Sequence, residues 1–249
     1  MRYFIDLSYN GAKYHGWQMQ PNATTVQAVL NHALSTLIKT PLNCMGAGRT
    51  DTGVHALKMM AHFDCEQSFD TSEISYKLNA FLPKDIAIKS IKKVQKDAHA
   101  RFDALSRTYT YRISTIKDVF KFEKSHYFSK ILDLRLMNDA CQILKDCDDF
   151  ECFSKAHTDV KTFFCQIHKA EWVQTHTDIE FIITADRFLR NMVRSIVGTL
   201  LDVGTHKTSL EDFHQIIKSK DRSKAGASVP AKGLYLTEIK YPNTIYSDV

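Results

Sequence analysis

Polar and apolar positions alternate over residues 2–9, with Tyr3, Ile5 and Leu7 on one face, which predicts a strand. Thr24-Thr25-Val26-Gln27 then opens a helix, with Thr24 as its cap and Gln27, three residues on, completing a capping box. Val26, Val29, Leu30, Ala33, Leu34 and Leu37 follow at helical spacing as one apolar stripe, and Pro41 ends it. Residues 42–45 and 57–65 read as strands flanking a glycine-bearing loop. Residues 71–82 read as a second helix, ended before Pro83, and 86–94 as another strand.

The order β-α-β-β-α-β is the split arrangement of ferredoxin-like domains, whose antiparallel sheet carries helices on one face. The open face of such a sheet can meet RNA, as in RRM domains. After residue 105 a similar but expanded pattern returns. It has a strand over 108–114 and a helix over 134–147 marked by Leu134, Met137, Cys141 and Leu144. Paired strands over 161–174 and 180–186 follow, around a turn at 175–178. A long apolar helix spans 188–203, and another starts at Ser209 with Asp212 completing its cap. A strand over 233–241 closes the chain. The reading is α+β: two ferredoxin-like or RRM-like halves, residues 1–104 and 105–249, with antiparallel sheets joined around a central active-site cleft.

Composition narrows the classes. The 249 residues are 44% hydrophobic, which argues against disorder, and no run of 18 apolar residues predicts a membrane span. Asp6 falls too early for a secretory signal, so the cytosol is the expected compartment. The six cysteines form no CxxC pair and are expected to be reduced and mostly buried. A formal charge of +5 permits nucleic-acid binding without requiring it. Lys84, Lys89, Lys92, Lys93 and Lys96 form one candidate basic stripe, equally readable as a solvated strand edge. Glycine is scarce: nine residues, none between Val54 and Val197, gathered in four clusters that are expected to converge on one cleft.

The densest chemistry lies in Gly46-Ala47-Gly48-Arg49-Thr50-Asp51-Thr52-Gly53-Val54-His55-Ala56, where glycines frame an Arg, an Asp and a His between two predicted strands. A loop carboxylate held charged by neighbouring arginines is a usable nucleophile. The competing reading is a loop braced by an Arg49–Asp51 pair. A phosphate cradle fits poorly, because the glycine spacing is wrong and a strand follows rather than a helix. A metal site on Asp51 and His55 would lack further ligands.

Gly48-Arg49-Thr50-Asp51-Thr52-Gly53-Val54-His55-Ala56 resembles the signature of the TruA-type tRNA pseudouridine synthases. Four further stretches, in order, resemble the family's other motifs. They are Tyr14-His15-Gly16-Trp17-Gln18-Met19-Gln20-Pro21-Asn22 with Thr25-Val26-Gln27, then Leu78-Asn79-Ala80-Phe81-Leu82-Pro83. His99-Ala100-Arg101-Phe102-Asp103-Ala104 with Arg107, Tyr109 and Tyr111 comes next. Phe188-Leu189-Arg190-Asn191-Met192-Val193-Arg194 and Gly233-Leu234-Tyr235-Leu236 complete the set. The resemblance implies a homodimer that converts uridines near the base of the tRNA anticodon stem-loop without a cofactor. It places the family's essential Asp on Asp51, its Asp-pairing Arg on Arg194 and its active-site Tyr on Tyr109. Arg49 matches the Arg beside the nucleophile, and Leu234 a position lining the uracil pocket.

For the tRNA backbone the candidates are Arg101, Arg107 and Lys13, with Arg190 next. Tyr111, Trp17, Phe153, Phe163 and Phe164 are expected in the core, and His55 and His62 as core histidines whose ring nitrogens bond backbone. Met59, Phe163-Phe164-Cys165 and Thr205-His206 depart from the family pattern. Two rival readings are a non-catalytic RNA-binding protein on the same fold and a nucleoside hydrolase using Asp51 and His55. The latter lacks a clear second carboxylate.

Overall fold

The computed structural model describes residues 1–155, 160–175 and 178–246. In chain order its main elements are β1 (Arg2–Tyr9), α1 (Val26–Ile38), β2 (Met45–Gly46), β3 (His55–Asp64), α2 (Thr71–Phe81) and β4 (Ile86–Val94). Then come β5 (Ser106–Ser114), β6 (His126–Tyr127), α3 (Leu134–Lys145), β7 (Ile167–Thr175), β8 (Asp178–Ala185), α4 (Met192–Gly204), α5 (Leu210–Ser219) and β9 (Leu234–Lys240). The class is α+β, with mostly antiparallel sheets. Two compact units form: residues 1–106 together with the chain from Tyr235 on, and residues 107–234. The sequence reading kept everything after residue 105 in one half. The chain from Tyr235 on instead joins the first unit because β9 pairs in parallel with β3, Tyr235 opposite His55 and Leu236 opposite Ala56.

In the first unit β1 lies between β4 and β3, antiparallel to both. Tyr3, Ile5, Leu7 and Tyr9 of β1 are buried on one face, as their alternation predicts. β2 covers the far end of β3, pairing Met45 with His62. The predicted strand at 42–45 shrinks to these two residues, because α1 side chains take its backbone groups. Leu42 N–H donates to Ser35 Oγ (2.9 Å), Cys44 N–H to Asn31 Oδ1 (2.9 Å), and Cys44 C=O accepts from Gln27 Nε2 (2.6 Å). Gln27 is therefore not part of a capping box. The cap of α1 is Thr25, one residue later than expected, with its side chain accepting from Ala28 N–H.

In the second unit β8 lies between β5 and β7, antiparallel to both, and β6 adds in parallel to β5. The turn expected at 175–178 includes His176 and Thr177, which lie outside the described residues. α3 packs on β7, and α4 and α5 pack on α3. The predicted helix at 188–203 begins only at Met192, because Asn191 takes a left-handed conformation (φ 67°) as its N-cap. Phe153 is fully buried, but Phe164, expected in the core, is 56% exposed. Its extended segment turns the neighbouring Cys165 inward instead. The described cysteines are all unpaired thiols, and five of the six are buried.

The shifted cap gives a test. Thr25→Ala should lower stability by about 1 kcal/mol in urea unfolding, and Thr24→Ala by no more than a few tenths, because only Thr25 closes the helix end.

Candidate active site

In the first unit, the turn carrying Asp51 is tied down on both sides of the carboxylate. The Thr50 side chain meets the Tyr9 hydroxyl at 2.8 Å inside the unit, and Thr50 C=O accepts from Trp17 N–H at 3.2 Å. Asp51 C=O accepts from Val54 N–H (3.1 Å), and Gly53 N–H donates to Tyr14 C=O (3.3 Å). Gly53 adopts φ 79° and Gly16 φ 86°, conformations that L side chains rarely take. A Cβ on Gly16 would also strike Thr50 O, so the 14–17 segment can reach this turn only through glycine. His55 Nδ1 accepts from Gly11 N–H (3.1 Å), and its ring stacks on Tyr235 at 4.6 Å. His55 is thus a satisfied core histidine. Asp51 itself is half-buried between buried Thr50 and exposed Thr52. Arg49 is exposed and forms no ion pair among the described residues, so the Arg49–Asp51 brace weighed from the sequence is not made.

The motif at 99–104 wraps around two histidines. Ala100 N–H donates to His62 Nδ1 at 3.1 Å, while Arg101 and Phe102 N–H both point at His99 Nδ1. Asp103 accepts from His99 N–H (2.6 Å), and Arg2 Nη1 caps Ala98 C=O (3.0 Å). The two imidazoles meet edge to face at 4.5 Å. Burial, the neighbouring His99 and Arg2 push His62 down to about 4, and burial lowers His99 as well. Both rings are therefore neutral acceptors, and the exposed Arg101 sits on a turn they hold, its guanidinium 5.6 Å from the Phe102 ring centre. Lys13 is exposed at the end of a short 3-10 turn, Gly11–Lys13.

In the second unit, Tyr109 of β5 is half-buried, opposite Ile183 of β8, with Phe188 edge-on to its ring at 5.1 Å. Tyr111, two residues on, is fully buried and donates to Pro230 C=O (2.9 Å), the core role expected of it. Arg194 lies in the first turn of α4 and is locked to one residue in both directions: its Nε donates to Val229 C=O (2.7 Å), and Val229 N–H donates to its carbonyl (3.2 Å). Asn191 Nδ2 and Arg222 Nη2 both donate to Ser228 Oγ (2.6 and 3.0 Å), fixing the same 225–230 strap. Leu234 is 6% exposed at the start of β9. Arg107 is half-buried, with Nη1 donating to Asp186 C=O (2.7 Å), and Arg190 is exposed.

The supports of the candidate side chains are not in the sequence reading. Tyr9 was read only as part of a strand, although a buried tyrosine hydroxyl demands a partner, and here that partner is Thr50. Phe188, within the 188–194 motif, is the edge-on neighbour of Tyr109, a contact that no local spacing reveals.

Comparison with known proteins places these segments in one family. The family model described as tRNA pseudouridine synthase matches residues 7–103 and 140–242. A Parabacteroides distasonis protein named tRNA pseudouridine synthase A is 51% identical over 246 residues, 98% of either chain. Namesakes from Bacteroides thetaiotaomicron (49%; 99% of this chain, 93% of that one) and Bacillus subtilis (39%; 98% and 100%) are similar along their lengths.

The neutral His62 links stability to acid. An imidazole near 6.5 in the unfolded chain and about 4 in the fold binds more protons when unfolded, so stability falls as pH drops from 6.5 toward 4. Urea midpoints measured across that window should fall in the native protein. The slope should flatten in His62→Gln, which keeps an acceptor for Ala100 N–H but does not titrate.

Proposed function

The chain belongs to the tRNA pseudouridine synthase family and is an isomerase of that class, and we propose that it converts uridines near the base of the tRNA anticodon stem-loop, with Asp51 as the essential carboxylate and no cofactor. Pseudouridylation breaks the C1′–N1 bond, turns the uracil and rejoins it through C5. The product is an isomer, so no electron or group donor enters. The work lies in holding the detached base and in stabilising charge at the sugar.

The observation that carries this reading is the tethered turn around Asp51. Thr50 and Gly53 are anchored on either side, so the carboxylate is presented by backbone that need not reorganise during the reaction. Asp51 attacks C1′ or assists loss of the 2′ proton, and either route uses its charged form. Arg194 is its electrostatic partner in this proposal, with its helix turn fixed by Val229. Tyr109 stacks on the uracil. Leu234 shuts water out of the sugar intermediate. Arg49 is exposed, which fits a charge offered to the RNA as readily as one offered to Asp51. Arg101, Arg107 and Lys13 are proposed to meet the tRNA backbone, which offsets the few kcal/mol needed to unstack the target.

Ferredoxin-like halves are proposed for the two units, residues 1–106 with the chain from Tyr235 on carrying Asp51, and residues 107–234 carrying Tyr109, Arg194 and Leu234. The β4-β1-β3 order, with β2 on β3, supports this for the first half. The proposed homodimer has a surface that suits it. Ile116 (60%), Val119 (75%), Phe120 (85%), Phe122 (69%) and Ile131 (94%) leave large apolar side chains in water along one stretch of the second unit. No helix among the described residues is long and apolar enough to cross a membrane.

A tRNA transcript tritiated at uridine C5 tests the reaction. Tritium should appear in water with the strand intact, and Asp51→Asn should slow release by at least about 10⁴-fold. Tritium retained by RNA that the wild type binds would sink the proposal, and free uracil would mark a hydrolase. Binding should weaken steeply with added salt. In sedimentation, Phe120→Asp with Ile131→Asp should shift a dimer to the monomer mass.

A further inference from the structure

The open face of the first unit's sheet holds a cavity of about 240 Å³, lined by Phe4, Asp6, Lys58, Met60, Lys92 and Tyr246 among others. None of its lining residues belongs to the Asp51 turn. Asp6 sits at its floor in the middle strand, opposite Met60 of β3 and Ser90 of β4. Its Oδ1 is buried and has no hydrogen-bond partner among the described residues. A buried carboxylate oxygen left without a donor costs free energy, so it calls for one.

Lys58, Lys89 and Lys92 are the charges that Asp6 feels, and burial outweighs them in raising its pKa. Two of these lysines reach the face through a β-bulge. Between the pairs Asp6–Ser90 and Leu7–Ile88, strand β4 holds one extra residue, Lys89. The bulge sets Lys89 and Ser90 side by side on the open face while Ile88 and Ile91 stay buried. Lys89 Nζ is taken up by Leu57 C=O (2.6 Å), which leaves Lys58 and Lys92 on the cavity wall. Lys92 Nζ lies 5.6 Å from the Tyr246 ring centre, and Tyr246 and Tyr241 stand edge-on to Phe4. The basic stripe noted in the sequence thus divides by face, with Lys93, opposite Tyr3, on the other side.

The lining selects its occupant. A bare cation is opposed by the lysines and a bare anion by Asp6. A ligand that fits carries N–H donors for Asp6, an anionic group for Lys58 and Lys92, and a flat ring for the aromatic wall. The cavity is smaller than the 300–1,000 Å³ typical of drug-sized ligands, so it takes about one ring system. Aromatic side chains and cations on an open sheet face are a recurrent way to hold unstacked RNA bases.

We propose that this cavity binds one unstacked nucleotide of the tRNA, with a base that bears an exocyclic amino group (cytosine, adenine or guanine) donating to Asp6, and its phosphate between Lys58 and Lys92. Uracil's one ring N–H, at N3, is flanked by two carbonyls that oppose a carboxylate, so the cavity takes the substrate base more weakly. The inference rests on the chain acting on tRNA, but its chemistry is separate from that of Asp51.

Two measurements on the full chain test it. In the first, the NMR signal of the Met60 methyl group is followed while CMP, AMP, GMP or UMP is added. The amino-bearing nucleotides should shift it strongly and UMP much less, and Asp6→Asn should weaken the shifts. In the second, tRNA affinity and tritium release are compared between wild type and variants. Lys58→Ala with Lys92→Ala, and separately Tyr246→Leu, should raise KM roughly tenfold with kcat kept. The double variant should reduce the salt slope of binding by about 0.7 to 0.9 for the lost phosphate contact. Asp6→Asn removes an unpartnered buried charge, so it should fold at least as stably as wild type while showing the same rise in KM. Unchanged KM in all three variants overturns the proposal. Shifts by CMP, AMP and GMP with tRNA affinity unchanged mean that free nucleotides are the ligand, and overturn the tRNA assignment. Equal shifts by UMP overturn the role of Asp6. If wild-type protein releases no tritium, the proposed reaction fails, and the Met60 shifts with tRNA affinity still decide this site.

Discussion

The hydroxyl pair Tyr9–Thr50, 2.8 Å apart within the first unit, is the contact on which the rest of the Asp51 turn depends. A carboxylate on an exposed loop would be free to rotate with its backbone, and catalysis by a preorganised charge would lose most of its advantage. Here the residue before Asp51 is buried and bonded at both side chain and carbonyl, and the residue after next is bonded to Tyr14. The carboxylate can stay half-solvated because Thr50 beside it is buried and bonded. Burial of Thr50 in turn requires Trp17 and Gly16 to come close, which only a residue without a Cβ permits at position 16. One chain of dependence thus runs from the middle strand of the sheet, through a hydroxyl pair, to the chemical group.

The second unit solves the same problem for a cation. A long arginine side chain carries large rotamer entropy, and Arg194 loses part of that freedom by giving its Nε to Val229. The strap that supplies Val229 is itself fixed. Gly198 of α4 lies against Ala227, Gly226 lies against Thr199, and Gly226 N–H donates to Thr199 Oγ1 (2.9 Å). In both units a glycine-mediated close approach of two backbone segments positions the charged residue, and a nearby polar side chain locks the approach.

That pairing shows how far the sequence could be read. Inside each unit the glycine clusters meet as pairs: Gly11 and Gly16 with the Asp51 turn, Gly198 with Gly226. Which pairs meet was not legible, since spacing along the chain says nothing about contacts across it. Strand β4 was readable to its ends, because Pro83 and a dense run of β-branched residues bound it. The strand at 42–45 misled because local propensity cannot reveal that Gln27, Asn31 and Ser35 on a helix would take its backbone groups. The late start of α4 had a signal, Asn191, a residue that tolerates left-handed backbone, but the apolar run around it was the louder one. The chain from Tyr235 on joined the first unit through a parallel pairing, a long-range contact that no local pattern encodes.

Not every motif in a family resemblance carries chemistry. Asn79, quoted within the helix-end motif, donates from Nδ2 to Ile88 C=O (2.9 Å) and accepts Ile88 N–H on Oδ1 (2.7 Å), so one side chain satisfies both backbone groups of an outer strand residue. In the second unit Asn138 of α3 does the same to Trp172 of β7, at 3.1 and 2.8 Å. Asparagine suits this role because it presents a donor and an acceptor side by side, matching a peptide edge; aspartate or leucine would leave one or both groups unpaired. A helix-borne clamp also closes part of a strand edge that would otherwise be open to pairing with another chain. In the first unit the clamp sits next to the bulged Lys89, where the ladder is broken and the backbone most needs a substitute partner. One device thus recurs on the outer strand of each unit, and it assigns Asn79 to architecture rather than to catalysis.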